Sequence, residues 1–261
     1  MSGLKKLLKD GNVALGTWIT INHPDVVDAL SELPFDWFVF DMEHAPIDVR
    51  DLELLAMPLR GVNIAPLARV PWNDLVMVKR VLDVGMQGVL IPWVNSRAEA
   101  EAAVVASRYP PRGIRGVGPR RCIRFGRRDF IEYYEKFEVE ELVVIVQIET
   151  AKSLENLEEI LSVDGIDVAY VGPMDLSVNL GIPTGYDHPK FKDALRKVKE
   201  ACEKYDVVPG IHTFSIEMAE RMIKDGFRFV ALMSDMKILM SGFSELLSKF
   251  GRKIAGEAKG Y

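Results

Sequence analysis

Short apolar runs recur eight times along the chain, each followed by a stretch in which apolar positions return at helical spacing. They are Val13 to Trp18, Trp37 to Phe40, Ile64 to Ala68, Gly88 to Ile91, Leu142 to Ile148, Val168 to Val171, Val207 to Ile211 and Phe229 to Leu232. Short apolar runs of this length read as buried strands, and eight strand-plus-helix units in succession predict an α/β fold, a closed parallel (β/α)8 barrel of the TIM type. Helix signals agree. Asn22-His23-Pro24 opens one helix with proline in its first turn, Ser96 with Glu99 forms a capping box before an alanine-rich helix, and Asn73 is placed to cap a helix running to Leu82 with Gly85 beyond it. Ser215 and Asp225-Gly226 bracket another. An open doubly wound sheet would alternate in the same way, but its first strand-to-helix turn usually carries a glycine-rich phosphate loop. Here the turn from Thr17 to Pro24 has no glycine.

Composition narrows the class. The chain has 261 residues, 48% apolar and 27% charged, enough for one large barrel and a sizeable core. No Ser-, Gly- or Pro-rich linker divides it. The expectation is a single domain over 1–261, with a short amphipathic N-terminal helix from Leu4 closed by Gly11 and a frayed C-terminal tail. A formal net charge of -5 argues against attraction to nucleic acid or to an anionic membrane. Cys122 and Cys202 have neither metal-type nor redox-type spacing, which favours a reduced, cytoplasmic location. The lysine-interrupted N-terminus lacks the apolar stretch of a signal peptide, and no run approaches the roughly 18 apolar residues of a membrane span.

In a barrel, catalytic groups gather where strands end, so position becomes evidence. The predicted strand ends carry Trp18, then Asp41, Glu43 and His44, then Arg69, Trp93, Gln147 with Glu149, Asp175, His212, and Ser234 with Asp235. Gln147 and Glu149 are two apart and point to one side of a strand. Glu149 and Asp175, on neighbouring strands, form a pair of hard oxygen donors suited to a divalent cation; alternatively each caps the helix that follows it. Arg69 can hold a carboxylate or oxyanion through forked hydrogen bonds, or pair with Asp41 or Glu43. His44, beside two acids, reads as a general base or as a solvated surface histidine. Lysine is absent from these positions, which disfavours a Schiff-base aldolase, and no serine or cysteine nucleophile stands with a histidine. Seven arginines between Arg112 and Arg128 read either as solvated surface or as a cationic flap, on a strand-to-helix connection, over an anionic substrate. Nucleic-acid binding by that segment is the weaker alternative, because aromatic interleaving is slight.

Several motifs together resemble the HpcH/HpaI family of metal-dependent pyruvate aldolases, of the phosphoenolpyruvate/pyruvate-binding barrel type. They are Asp41-Met42-Glu43-His44-Ala45-Pro46, Arg69-Val70-Pro71-Trp72-Asn73-Asp74, Leu82-Asp83-Val84-Gly85, Arg108-Tyr109-Pro110-Pro111 with Gly113-Ile114-Arg115-Gly116, Gln147-Ile148-Glu149-Thr150 and Val171-Gly172-Pro173-Met174-Asp175-Leu176-Ser177. The match runs in order from about Gly16 to Asp235. The resemblance implies a class II carbon-carbon lyase that reversibly cleaves a 4-hydroxy-2-oxo acid to pyruvate, or a related 2-oxo acid, and an aldehyde through a metal-stabilised enolate. It implies a divalent metal (Mg²⁺, Mn²⁺ or Co²⁺) on Glu149 and Asp175, with substrate seated by Gln147, Asp175 and the backbone at Met174. His44 would be the base, made more basic by Asp83, and Arg69 would stabilise the enolate. Family members are commonly hexamers, so a homo-oligomer is expected. Met174 and His212 depart from or vary within the family's pattern, which leaves the aldehyde open. Another metal-enolate lyase or a decarboxylase acting on a dicarboxylic acid is the competing enzyme reading, and a non-catalytic polyanion binder built on the arginine segment is the competitor from another class.

Overall fold

A computed structural model describes residues 3–252; the expected frayed tail lies outside the described residues. Eight parallel strands close into a barrel in sequence order: β1 (Ala14–Ile19), β2 (Trp37–Asp41), β3 (Ala65–Arg69), β4 (Gly88–Ile91), β5 (Val143–Ile148), β6 (Val168–Val171), β7 (Val208–Thr213) and β8 (Phe229–Ser234). The predicted runs fall on these strands within two residues at either end, and β4 and β6 coincide with them. Helices α1 (Leu4–Lys9), α2 (Pro24–Ser31), α3 (Val49–Leu55), α4 (Leu75–Asp83), α5 (Arg97–Ser107), α6 (Phe130–Lys136), α7 (Ala151–Glu155), α8 (Leu157–Leu161), α9 (Pro173–Asn179), α10 (Pro189–Tyr205), α11 (Ile216–Lys224) and α12 (Asp235–Lys249) complete the chain.

Two apolar layers follow from the strand period of two. Side chains facing outward, such as Phe38, Phe40, Val89, Val144 and Ile148, pack against the helices. Those facing inward, including Trp18, Trp37, Val39, Leu67, Leu90, Ile145, Tyr170 and Phe229, fill the barrel. Trp37 stacks on Phe229 with ring centroids 4.1 Å apart. Only glycine fits at position 16, because a Cβ there would lie 2.1 Å from the Trp37 ring. At the N-terminal end α1 inserts Leu4 and Leu8 into the same inner cluster. Its Lys5 is buried and paired, donating to the Leu142 carbonyl at 2.6 Å and bridging Asp167 at 3.0 Å. That end of the barrel is sealed by structure and the other is left for chemistry.

Capping differs in detail from the sequence expectation. Asp74, not Asn73, caps α4 by accepting from Met77 N–H at 2.8 Å, while the Asn73 amide reaches the Glu99 carbonyl. Ser96 accepts from Glu99 N–H, but the Glu99 carboxylate turns to Asn95 N–H, so the box before α5 is half formed. Ser215 and Asp225 bracket α11 as expected.

The arginine segment requires a larger correction. It follows α5 and leads through α6 into β5, so it is a helix-to-strand connection on the sealed end of the barrel. Within one chain it cannot cover the mouth. Arg115 is fully buried, pairs with Asp83 at 2.7 Å and lies over the Tyr109 ring at 4.5 Å. Arg112, Arg120 and Arg128 pair with Glu138, Glu53 and Glu141. With more than half of its cations already engaged, the segment reads as a structural clamp more than as a polyanion surface. Among the described residues no helix is long and apolar enough to cross a membrane.

Candidate active site

Strand register builds the centre of the mouth. Asp41 and Arg69 are the last residues of β2 and β3 and sit opposite one another. Arg69 donates through Nε to Asp41 Oδ1 at 3.0 Å and through Nη2 to Oδ2 at 2.8 Å, a forked pair buried on both sides. Burial pushes the Asp41 carboxyl up, but the Arg69 charge and hydrogen bonds, with the N–H groups of His44 and Glu43, more than offset it and hold the group below the usual carboxylate range. Glu43 Oε2 lies 2.9 Å from Arg69 Nη1. The structural ion pairs considered for Arg69 therefore both form. Asp41 takes two of the guanidinium's five N–H bonds, and Glu43 is held by charge alone, its Oε2 buried without a hydrogen bond, so the remaining N–H bonds are open to a ligand. Below the guanidinium, the Trp18 ring lies 4.3 Å from its carbon.

His44 follows on the β2 loop. Its side chain is 61% exposed and its Nε2 stands 3.9 Å from Glu43 Oε1, so the acid beside its ring is Glu43, while Asp41 holds the loop through backbone N–H groups. Burial pushes Glu43 up; the charges of Arg69 and His44 oppose that, and those of Asp41 and Asp175 add to it. Asp83 is not in this site within one chain. It ends α4, next to the start of β4, at the opposite end of the barrel from His44, and is paired with Arg115.

On the other side, Gln147 and Glu149 project inward from the end of β5 as their spacing requires. Glu149 is 1% exposed; Oε1 accepts from Trp93 N–H at 2.9 Å and Oε2 accepts from the Gln147 amide. Trp93 holds a left-handed φ of 54°, an uncommon conformation for a bulky residue that aims its N–H at the carboxylate. The helix after β5 is capped by Thr150 through Ser153 N–H, so Glu149 is not its cap. Gly172 completes the cradle, since a Cβ there would lie 2.6 Å from Glu149 Oε2 and 2.7 Å from Gln147 Nε2. Asp175 lies in the first turn of α9, partly buried, with Met174 before it. α9 has no side-chain cap bond, and among the described residues the Asp175 carboxylate has no hydrogen-bond or ion-pair partner. Both helix-capping alternatives are thereby answered.

Burial first, and then the Asp175 and Glu43 charges, push Glu149 up to about 8, against the opposing Trp93 N–H and Arg69. A buried carboxylate beside two others, with the Gln147 Oε1 acceptor buried and unpartnered, is an environment short of positive charge. Among the described residues no cluster of three or more His, Cys, Asp or Glu side chains forms a closed metal cage. Two carboxylates and an amide oxygen instead suit a hard divalent cation that keeps waters or ligand oxygens at its remaining positions. Glu149 and Asp175 would hold it.

Two features at the mouth went beyond the sequence reading. Tyr170, inward on β6, accepts from Trp18 Nε1–H at 2.9 Å and approaches His212 Nδ1 at 3.5 Å. Its inward place was available from strand alternation, but its partners lie far away in sequence. Ser234 and Asp235 are structural: Ser234 caps α12, and Asp235 accepts from Thr20 N–H, Ile21 N–H and the Thr20 hydroxyl, closing the seam between β8 and β1.

The family pattern described as HpcH/HpaI aldolase/citrate lyase matches residues 14–242. Among curated proteins, the chain is 36% identical over 262 aligned residues to 4-hydroxy-2-oxo-heptane-1,7-dioate aldolase of Salmonella typhimurium, covering 100% of this chain and 99% of that protein. Among solved structures, an HpcH/HpaI aldolase from Desulfitobacterium hafniense superposes with a TM-score of 0.90 at 30% identity, over 98% of this chain and 99% of that one. An HpcH/HpaI aldolase/citrate lyase family protein from Burkholderia cenocepacia superposes equally well, TM-score 0.90 at 29% identity, over 97% and 100%. The carboxylates, arginine and histidine gathered at one end of this barrel thus stand in a chain that belongs to the HpcH/HpaI aldolase/citrate lyase family and is a carbon-carbon lyase.

Proposed function

We propose that the protein is a class II aldolase that reversibly cleaves a 4-hydroxy-2-oxo acid to pyruvate, or a related 2-oxo acid, and an aldehyde. The observation that carries the reading is the buried Glu149 beside the unpartnered Asp175, with Arg69 two strands from Glu149 across β4. A divalent cation held by Glu149 and Asp175, whether Mg²⁺, Mn²⁺ or Co²⁺, would supply Lewis-acid polarisation of the substrate's keto group.

The chain's own residues account for the remaining steps. Gln147 and the backbone at Met174 and Asp175 seat the 2-oxo acid against the β5 and β6 ends. His44 takes the proton of the 4-hydroxyl as the C3–C4 bond breaks. C4 then leaves as the aldehyde carbonyl, and the bond's electron pair forms the C2–C3 double bond of the enolate. The Arg69 N–H groups not bonded to Asp41 are the donors for the negative charge that develops on its oxygen, where fixed donors lower the barrier without reorganising. Protonation of C3 yields the 2-oxo acid.

Asp83 can assist His44 only from a second copy of the chain, because the two lie at opposite ends of one barrel. A homo-oligomer, a hexamer in the simplest case, is supported by α12, which leaves Ile238, Leu239, Met240, Phe243, Leu246 and Leu247 exposed along its length. Light scattering behind a sizing column would report the mass, and a monomer would reject this assembly. The activity is tested by incubating 4-hydroxy-2-oxoheptanedioate with the protein, with each metal and with excess chelator. Stoichiometric pyruvate and aldehyde, abolished by chelator, are expected; carbon dioxide release or full activity in chelator would reject the reading.

A further inference from the structure

The proposed reaction makes no use of the contact chain from Trp18 through Tyr170 to His212. Tyr170 is fully buried, and its hydroxyl oxygen accepts from Trp18 Nε1–H. That hydroxyl carries one proton of its own, which is costly to bury without an acceptor. His212 Nδ1, at 3.5 Å, is the acceptor the structure sets beside it. Were Nδ1 protonated, the Tyr170 hydrogen would be stranded, so the imidazole proton belongs on Nε2.

The ring also stays neutral, because burial and then the Arg69 charge push His212 down to about 3. Its place matters more. His212 faces inward on β7 with part of its surface left at the mouth, and among the described residues no group hydrogen-bonds its Nε2. The ring stands edge-on to Trp18 with centroids 5.5 Å apart, and the same indole lies under Arg69. Glu43, with His44 beside it on the loop after β2, pairs with Arg69 on one side, whereas His212 adjoins it across Trp18. In a 2-oxo acid clamped by its carboxylate and keto oxygen, with its C3–C4 bond turned to His44, the other two C3 substituents lie in the plane of the forming enolate, where one can reach toward the β7 wall that carries His212.

We infer that His212 is a specificity-determining residue whose Nε2–H donates a hydrogen bond to an oxygen on C3 of the 2-oxo acid, so that a 3-hydroxy-2-oxo acid is preferred over pyruvate as the carbon nucleophile. The inference rests on the aldolase reading above.

Two measurements test it. In ¹⁵N-labelled protein, long-range proton–nitrogen correlation reads the His212 tautomer directly, and the proton is expected on Nε2, with mixed tautomers in Tyr170→Phe. Condensation of 3-hydroxypyruvate and of pyruvate with one common aldehyde gives the ratio of kcat/KM values. The ratio is expected to favour 3-hydroxypyruvate, to fall about tenfold in His212→Leu, which removes the donor, and to recover in part in His212→Gln. A proton on Nδ1, or a ratio unchanged in an active His212→Leu, would overturn the inference and leave the aldolase reading standing. No condensation with either acid would overturn that reading and this inference with it, whatever the tautomer.

Discussion

The backbone N–H of Trp93, held at a φ of 54°, donates at 2.9 Å to Glu149 Oε1, fixing a nearly inaccessible carboxylate at the end of a neighbouring strand. The other oxygen is fixed by Gln147. One acid is thus immobilised by two partners while Asp175, at the start of α9 beyond the neighbouring β6, is left free to share a ligand. A rigid donor beside an adaptable one suits the proposed site, which would take both a cation and a chelating substrate.

Gly172→Ala tests the cradle. A Cβ 2.6 Å from Glu149 Oε2 has to displace the carboxylate, since the other neighbour is the Gln147 amide at 2.7 Å. Metal affinity by calorimetry should fall about 10- to 100-fold, the usual effect of disturbing a ligand's support, with the circular dichroism spectrum unchanged. Unaltered affinity would mean that Glu149 does not hold the ion.

The pH dependence of metal binding follows from the raised Glu149 carboxyl. With a folded value of about 8 against an ordinary 4.5, the group stabilises the metal-free protein fully below pH 4.5, and this contribution is lost as pH rises through 8. A cation reverses the penalty by displacing the proton. The rise in Tm on adding saturating Mg²⁺ or Mn²⁺ should therefore be larger at pH 8 than at pH 6, reaching about 5 °C or more. In Glu149→Gln the metal response should vanish, and the metal-free protein should lose less stability between pH 6 and 8 than the parent. Equal metal shifts at both pH values would contradict this account.

Arg69 has a structural task and a proposed chemical one, which a double-mutant cycle separates. Arg69→Ala strands the buried Asp41 charge and should cost about 3–5 kcal/mol in denaturant unfolding; adding Asp41→Asn should recover much of it. Turnover should not recover, because the donors for the developing oxyanion stay missing, and kcat should remain about 100-fold or more below the parent. Return of activity in the double variant would make Arg69 purely structural.

His44→Ala should retain metal and Tm, since the imidazole is mostly exposed and stands 3.9 Å from Glu43. kcat should fall about 10²- to 10⁴-fold. A kcat close to the parent's would move the base to another group, with Glu43 the next candidate.

Much of the barrel was readable from residues alone, because strand burial writes a local signature. Four to seven apolar residues bounded by caps recur at Gly88–Ile91 and Val168–Val171 as they do in the structure. The inward direction of Gln147 and Glu149 follows from a period of two, and the motifs around Asp41, Arg69, Glu149 and Asp175 carry the family. These are short-range properties that the chain determines by itself. Tertiary structure decided everything that depends on which end of the barrel a residue occupies and on what stands across from it. Asp83 went to the sealed end and Arg115 took its charge, because a helix-to-strand connection must return to where strands begin. Asp74 displaced Asn73 as the α4 cap because Glu99, distant in sequence, supplied Asn73 with a competing carbonyl. The union of Trp18, Tyr170 and His212 spans β1, β6 and β7. No local pattern encodes that meeting, which arises only when closure of the sheet brings first and last strands together and leaves buried polar atoms to find partners across it.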